Sequence, residues 1–193
     1  MLLLGSRLTN IPIMGLQTGT RLATTKMPVI DPGNLKIIAY EVDGPLLSER
    51  PAFIRIADVR ELSDIGMIID SNDEFVGLDD VIKIKEIYEL NFDLIGLNVI
   101  NESRHKLGKV YNYSLDTDNF AIQQLNVKPG FLKSLADSEL LIHRSQITEI
   151  NNREIVVKNT TKKIPAAKKA EQSVSYINPF RNQSPSPQIE NKG

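Results

Sequence analysis

Two histidines are the first candidates for chemistry in this chain of 193 residues. His105 and His143 are the only histidines, and either could act as a general base or a metal ligand near neutral pH. Both roles require partner groups, and neither histidine belongs to a recognised catalytic or zinc-binding spacing. His105 lies in a predicted turn and His143 at the end of a predicted strand. We therefore expect both to have structural or solvent-exposed roles.

Acidic residues form two further candidate sites. Asp70-Ser-Asn-Asp-Glu74 has carboxylates at alternating positions, as in a calcium-binding loop. That loop needs a glycine at its sixth position and a glutamate at its twelfth, where this chain has Phe75 and Val81. We predict a solvated hairpin turn there. Asp79-Asp80 is more typical of a helix cap or an exposed face than of an acid/base pair.

The motifs of the common catalytic classes are absent from the sequence. There is no cysteine, no Gly-rich phosphate loop, no Gly-x-Ser-x-Gly elbow and no zinc-protease helix motif. No nucleophile, base and metal ligand can be named as a set. We expect a protein that is not an enzyme and holds no metal or cofactor.

A basic C-terminal segment contrasts with the rest of the chain. Residues 158–193 contain seven basic and two acidic residues, a net charge of +5, which leaves −6 for the remainder. Apolar periodicity ends there, and Lys, Ser, Pro, Asn and Gln predominate, so we predict a disordered tail over 159–193. For its lysines, a solvated tail without a partner is the favoured interpretation, and contact with phosphates of RNA or anionic lipid is the functional one. The candidate contacts with a partner or polyanion are Lys162, Lys163, Lys168, Lys169, Tyr176, Phe180 and Arg181.

A heptamer occurs twice in the chain. Asn10-Ile-Pro-Ile-Met-Gly15-Leu16 resembles Asn91-Phe-Asp-Leu-Ile-Gly96-Leu97, at a shift of 81 residues. Two later landmarks repeat at a shift of 88 residues, Val59/Leu62 and Ile147/Ile150. A repeat of this kind indicates one structural unit used twice. The extra residues of the second copy are best placed in 129–139.

Short apolar runs separated by turn signals predict many short strands. Ile37–Val42, for example, follows the turn sequence Asp31-Pro-Gly-Asn34. This pattern is typical of small all-β barrels or sandwiches. Leu78–Tyr88 fits either a strand or a short helix, and we favour an extended connector. The glycines that we assign to backbone curvature in the strands are Gly15, Gly96 and Gly108.

The motifs of the second copy resemble those of a known family. An apolar-Gly-Leu run, a strand that begins Gly108-Lys109-Val110 and the closing Ile147-Thr-Glu-Ile150 are similar to the PRC-barrel. The first copy departs from the pattern at Met27-Pro28-Val29. This small β-barrel occurs in the cytoplasmic part of the photosynthetic reaction centre H subunit and in the C-terminal half of the bacterial ribosome maturation factor. The resemblance implies a partner-binding or assembly module without a shared catalytic site.

Together these observations predict two tandem PRC-type barrels and a disordered tail. The predicted divisions are a first barrel at 5–78, a connector at 79–90, a second barrel at 91–158 and a basic tail at 159–193. We expect a cytoplasmic, non-catalytic adaptor that binds another protein. The alternative is an accessory factor in ribosome assembly or RNA processing, with RNA or a ribosomal particle as partner. Peripheral membrane contact is a third role, and no transmembrane segment is expected.

Overall fold

The computed structural model describes residues 1–129 and 139–159, and this part of the protein is predominantly β, as predicted. It contains fourteen strands and one α-helix, α1 (Ile82–Glu89). The strands are β1 (Leu2–Leu4), β2 (Pro12–Gly15), β3 (Thr20–Asp31), β4 (Lys36–Asp43), β5 (Ala52–Arg55), β6 (Glu61–Ser63), β7 (Gly66–Ile69), β8 (Phe75–Gly77), β9 (Asn98–Asn101), β10 (Lys106–Asp116), β11 (Ala121–Lys128), β12 (Leu140–His143), β13 (Ile147–Ile150) and β14 (Glu154–Val157).

The strands of the first half (β2–β8) and the second half (β9–β14) pair in the same way. Each half has a long antiparallel hairpin at its centre, β3/β4 in one and β10/β11 in the other. A parallel pair flanks the hairpin, β2/β7 in the first half and β9/β14 in the second. The outer strand of that pair, β7 or β14, pairs in turn with an antiparallel strand, β6 or β13. On its other side the hairpin carries β5 or β12. All the strands belong to one sheet, and the two halves of this sheet are joined where β4 pairs with β11.

The turns of the two central hairpins are built alike. The Asn34 side-chain amide donates to the Asp31 carboxylate at 3.0 Å, and Asn34 Oδ1 accepts from the Lys36 amide. Asp116 and Asn119 repeat this bond at 3.2 Å, and Asn119 Oδ1 accepts from the Ala121 amide. The residue after each asparagine has a positive φ of 52°, Leu35 in one turn and Phe120 in the other. These side chains hold both turns in the same conformation.

The two turns meet each other across an approximate two-fold axis. The Ile37 amide donates to the Phe120 carbonyl at 3.0 Å, and the Ile122 amide donates to the Leu35 carbonyl at 2.8 Å. Ile37 and Ile122 hold equivalent positions in their hairpins, as do Leu35 and Phe120. The contact is therefore reciprocal, like the interface of a two-fold dimer. One hydrophobic cluster continues through both halves, so their cores are not separate.

The register of the sequence repeat predicted from the heptamer is wrong. Gly15 lies buried at the end of β2, whereas Gly96 lies exposed in a turn before β9 with φ at +88°. The residue equivalent to Gly96 is Asn10, with φ at +61°. Each donates its amide to the neighbouring long strand, Asn10 to the Thr25 carbonyl at 3.0 Å and Gly96 to the Val110 carbonyl at 2.8 Å. Equivalent positions in this region therefore lie 85 or 86 residues apart, as these pairs show.

The segment after β8 forms a helix, so the extended connector predicted from the sequence is wrong. Ile84 and Ile87 of α1 are buried against Phe53 of the first half, and Val81 and Tyr88 pack beside them. This is the apolar face that the helical reading of the segment predicts. Burial against the sheet therefore decides between two patterns that the local sequence leaves open.

Two local predictions about strands have different outcomes. Pro12 is the first residue of β2, as expected for a residue without an amide hydrogen. The hairpin predicted at Asp70–Glu74 is wrong, because β8 does not pair with β7. Instead β8 crosses to β5, and a short 3₁₀ turn (Asn72–Glu74) capped by Ser71 lies between β7 and β8. The N-terminal leucines form β1, which pairs with β10 of the second half.

Candidate interaction surface

Neither histidine joins a cluster of catalytic groups in the described residues, and the Ser145 hydroxyl, 2.8 Å from His143 Nδ1, belongs to the same 3₁₀ turn as its cap. His143 caps a 3₁₀ turn, where its Nδ1 accepts from the Ser145 amide at 3.2 Å. Its own amide donates to the Gln146 side chain at 2.8 Å, which completes a capping box. His105 is exposed in the turn before β10. Residues 1–129 and 139–159 contain no group of three His, Asp or Glu side chains that could hold a metal ion.

The acidic candidates have local partners. Asp70 accepts two hydrogen bonds from the Arg60 guanidinium, and these bonds lower the pKa of the Asp70 carboxyl below its usual value. Asp79 pairs with Lys85 at 2.7 Å, and the Asp80 carboxylate accepts from the Gly77 amide at 2.6 Å. The N-cap residue of α1 is Val81, which has no side-chain cap, so neither aspartate caps the helix. Asp79 is exposed, Asp80 connects to β8, and neither aspartate shows the arrangement of an acid/base pair.

The predicted glycine positions differ in their surroundings. Gly108 lies in β10 beside Lys128, and a Cβ atom at Gly108 would overlap the Lys128 carbonyl oxygen. Gly15 is close to the Leu22 side chain, and Gly96 has open space around it. Among these three glycines, only Gly108 lies so close to the backbone of a neighbouring strand, and Gly96 forms a turn.

The seven predicted tail contacts, from Lys162 to Arg181, lie outside the described residues, as does the predicted disorder of 160–193.

An apolar groove crosses the two-fold axis between the halves, and we call it the β3–β10 groove. It has a volume of about 400 Å³. Its lining includes Met27, Pro28, Ile30, Phe92, Ile95 and Tyr113. The two long strands contribute equivalent segments, residues 26–28 of β3 and residues 111–113 of β10. No sequence motif marks this groove, because its lining comes from four separate segments of the chain, 5–9, 26–30, 92–95 and 111–113.

Two exposed apolar side chains lie at the groove. Met27 is 55% exposed and Ile95 is 42% exposed, although both line the same depression. Tyr113 is buried beneath them, and this burial raises the pKa of its hydroxyl, which stays protonated at neutral pH. Methionine adapts its shape to different partners, so a partly exposed methionine beside an apolar depression suits a protein-binding surface. The rim carries Lys26 and Asp93, one charge of each sign.

A buried carboxylate connects the groove rim to α1. Glu41 of β4 is 9% exposed and forms an ion pair of 2.5 Å with Lys26. The Tyr88 hydroxyl of α1 donates to the same carboxylate at 3.1 Å. Burial raises the pKa of Tyr88, and the charge of Glu41 raises it further. Glu41 therefore holds Lys26 at the groove and α1 on the sheet.

We expect Glu41→Gln to destabilise the protein by about 1 kcal/mol, because a neutral amide keeps only part of the hydrogen bonding. Urea unfolding measures this change. Absorbance titration should also show a lower pKa for Tyr88, because the negative charge that helps to raise it is gone. Glu61→Gln, at an exposed position of β6, is the control and should leave both quantities unchanged. An unchanged Tyr88 pKa in Glu41→Gln would contradict the contact.

The second half matches a known domain family. Residues 80–164 match the PRC-barrel domain. This match includes α1 and all strands from β9 to β14, and it extends five residues beyond Asn159. No curated protein matches the chain. The matched residues thus contribute the β10 side of the β3–β10 groove, and β3 contributes the other side. No helix in the described residues is long and apolar enough to cross a membrane.

Proposed function

We propose that this protein is a non-catalytic adaptor built on two tandem PRC-type barrels, which binds a partner protein at the β3–β10 groove. The observation that carries the proposal is the pair of exposed apolar side chains, Met27 and Ile95, beside an apolar depression of about 400 Å³. Protein-binding sites commonly centre on apolar anchors with polar groups at the rim. The cytoplasmic location expected from the sequence is part of the proposal.

The tandem arrangement is supported by the equivalent pairing of the two halves. The parallel pair, the central hairpin and the Asp–Asn turn recur in the same order. Only the second half matches the family, and the first half differs at the groove. There Lys26-Met27-Pro28 takes the place of Tyr111-Asn112-Tyr113. A groove with unlike sides suits one partner of fixed orientation, and a symmetric groove would accept a partner in two orientations.

Met27 and Ile95 provide the direct test of the groove. A photo-crosslinking amino acid at Met27 of the full chain should capture a protein from native lysate. Added unlabelled wild-type protein should compete for that partner, and Met27→Asp/Ile95→Asp should compete about tenfold less well, as expected when apolar anchors are lost. The matched control is Ile65→Asp, because Ile65 is 61% exposed but lies outside the groove. Equal competition by all three proteins would reject the groove as the binding site.

RNA is the alternative partner, and salt distinguishes it from protein. Neutralisation of phosphates by Lys and Arg makes RNA affinity fall steeply as salt rises. The net charge of −6 outside residues 158–193 disfavours RNA contact by the barrels, and any such contact would be expected from the tail. Full-length protein that binds ribosomal particles with this salt dependence, and loses binding without residues 159–193, would favour the ribosome-assembly role.

A further inference from the structure

Two equivalent chain segments line the β3–β10 groove, residues 5–9 before β2 and residues 92–95 before β9. Each segment contains one leucine that is fully buried in the core, Leu8 at 1% exposure and Leu94 at 0%. These leucines lie 86 residues apart, which is the spacing of equivalent positions in the two halves. The two segments can therefore be compared residue by residue.

The side chains that the two segments contribute to the groove differ in polarity. Ser6 and Thr9 line it from the first segment, and Phe92 and Ile95 hold the equivalent positions in the second. Ser6 Oγ accepts from the Asn112 side-chain amide at 2.9 Å, whereas Phe92 packs against the hydrophobic core. Apolar side chains of a partner are therefore expected to contact the second segment, where no hydrogen-bonding side chain is left without its partner.

Asp93 is the one charged side chain of the groove that has no oppositely charged partner in residues 1–129 and 139–159. The other charged residue of the groove, Lys26, forms an ion pair with Glu41. Asp93 is exposed, and its Oδ1 accepts the Ile95 amide at 2.9 Å. Burial raises the pKa of the Tyr113 hydroxyl, and the nearby charge of Asp93 raises it further. The groove thus has an unneutralised negative charge next to its apolar side.

This charge restricts what can cover the groove. A partner that docks there removes water from Asp93, and a carboxylate that loses water without gaining a cation weakens the complex. A lysine or arginine of the partner supplies that cation. An acidic segment is repelled by Asp93, and the net charge of −6 outside residues 158–193 adds to the repulsion.

We propose that the β3–β10 groove binds an apolar peptide segment of the partner that carries a lysine or arginine, and that this basic side chain pairs with Asp93. The apolar side chains of the segment contact Met27 and Ile95. This inference rests on the proposed function and adds the chemistry of the partner to it. The groove can bind apolar segments without any role for Asp93, so the two proposals can fail separately.

Selection from a library of random peptides displayed on phage tests the proposal, with the full chain as the target. The wild-type protein should enrich peptides that combine apolar residues with a lysine or arginine. Asp93→Asn keeps an acceptor for the Ile95 amide but removes the charge, so it should enrich apolar peptides without the basic residue. Asp64→Asn is the matched control, because Asp64 is exposed and lies outside the groove, and it should select as the wild type does.

A synthetic peptide from the wild-type selection measures the size of the effect. Isothermal titration calorimetry should give a Kd about fivefold weaker for Asp93→Asn and an unchanged Kd for Asp64→Asn. Replacement of the basic residue of the peptide by glutamine should weaken binding to the wild type by the same factor. The glutamine peptide should bind the wild type and Asp93→Asn equally, which assigns the ion pair to Asp93.

The outcomes that would overturn the proposal separate it from the proposed function. Groove-dependent peptides without enrichment of lysine or arginine would reject the role of Asp93 and leave the groove as a binding site. Equal weakening by Asp93→Asn and Asp64→Asn would mean that only the overall charge of the protein matters. If no selected peptide loses binding to Met27→Asp/Ile95→Asp, the groove itself is rejected, and the proposed function with it.

Two other occupants of the groove would also overturn the proposal. Light scattering that shows a dimer of the wild type, which Met27→Asp/Ile95→Asp separates into monomers, would assign the groove to a second copy of the protein. Displacement of the selected peptide by a synthetic peptide of residues 159–193 would assign the groove to this part of the same chain.

Discussion

Gly66→Ala and Gly108→Ala are each expected to destabilise the protein by about 2–4 kcal/mol, through backbone strain and displacement of a neighbouring strand. Gly66 has φ at +130°, and a Cβ atom there would overlap the Pro12 carbonyl oxygen. At Gly108 the overlap is with the Lys128 carbonyl oxygen. Neither oxygen belongs to a flexible side chain, so the strands β2 and β11 themselves would have to move.

Urea unfolding of the two variants measures this loss of stability. Gly19→Ala separates the two causes, because Gly19 has φ at +64° but no atom within 4 Å of the added Cβ. Strain alone should cost about 1 kcal/mol at that position. If Gly66→Ala and Gly108→Ala lose no more stability than Gly19→Ala, the close approach of the strands at these glycines is wrong.

The strands that are defined by local signals could be predicted from the sequence. The turn sequence Asp31-Pro-Gly-Asn34 and the apolar run after it predict the hairpin that β3 and β4 form. Turn residues act through hydrogen bonds to their own backbone, so their effect is readable without the rest of the fold. The same holds for Pro12 at the start of β2.

The heptamer predicts the wrong register because its similar residues hold different positions in the two halves. The equivalent turns Asp31-Pro-Gly-Asn34-Leu35 and Asp116-Thr-Asp-Asn119-Phe120 lie 85 residues apart and indicate the register that the structure has. Their asparagines and the following left-handed residues have a physical role that the heptamer lacks. Asn10 and Gly96 share a positive φ although their side chains differ, because asparagine and glycine both tolerate that conformation.

Tertiary contacts decided what local patterns could not. Ile82 and Ile84 alternate as in a strand, Val81, Ile84 and Tyr88 have helical spacing, and the apolar surface around Phe53 decides for the helix. The β3–β10 groove could not be predicted from the sequence. Met27 and Ile95 are separate apolar residues in the sequence, and the pairing of the two halves alone brings them to one depression.

Phe53→Ala is expected to cost about 3–5 kcal/mol, the range for removal of a fully buried aromatic side chain. The ring is 0% exposed and contacts Tyr88 edge to face, with ring centroids 5.0 Å apart. It is the part of the sheet against which Ile84 and Ile87 pack, so its loss leaves a cavity under α1. Urea unfolding with far-UV circular dichroism measures both the stability and the helical signal.

The equivalent position in the second half provides the matched control. Leu141 faces outward from β12 as Phe53 does from β5, but it is only half-buried, and Ser114 and Gln124 stand where the first half has Val29 and Ala39. Leu141→Ala should therefore cost less than about 1.5 kcal/mol, since little apolar surface is lost from the core. Equal losses in the two variants would contradict this difference between the halves: an apolar outer face under α1 in the first and a polar outer face in the second.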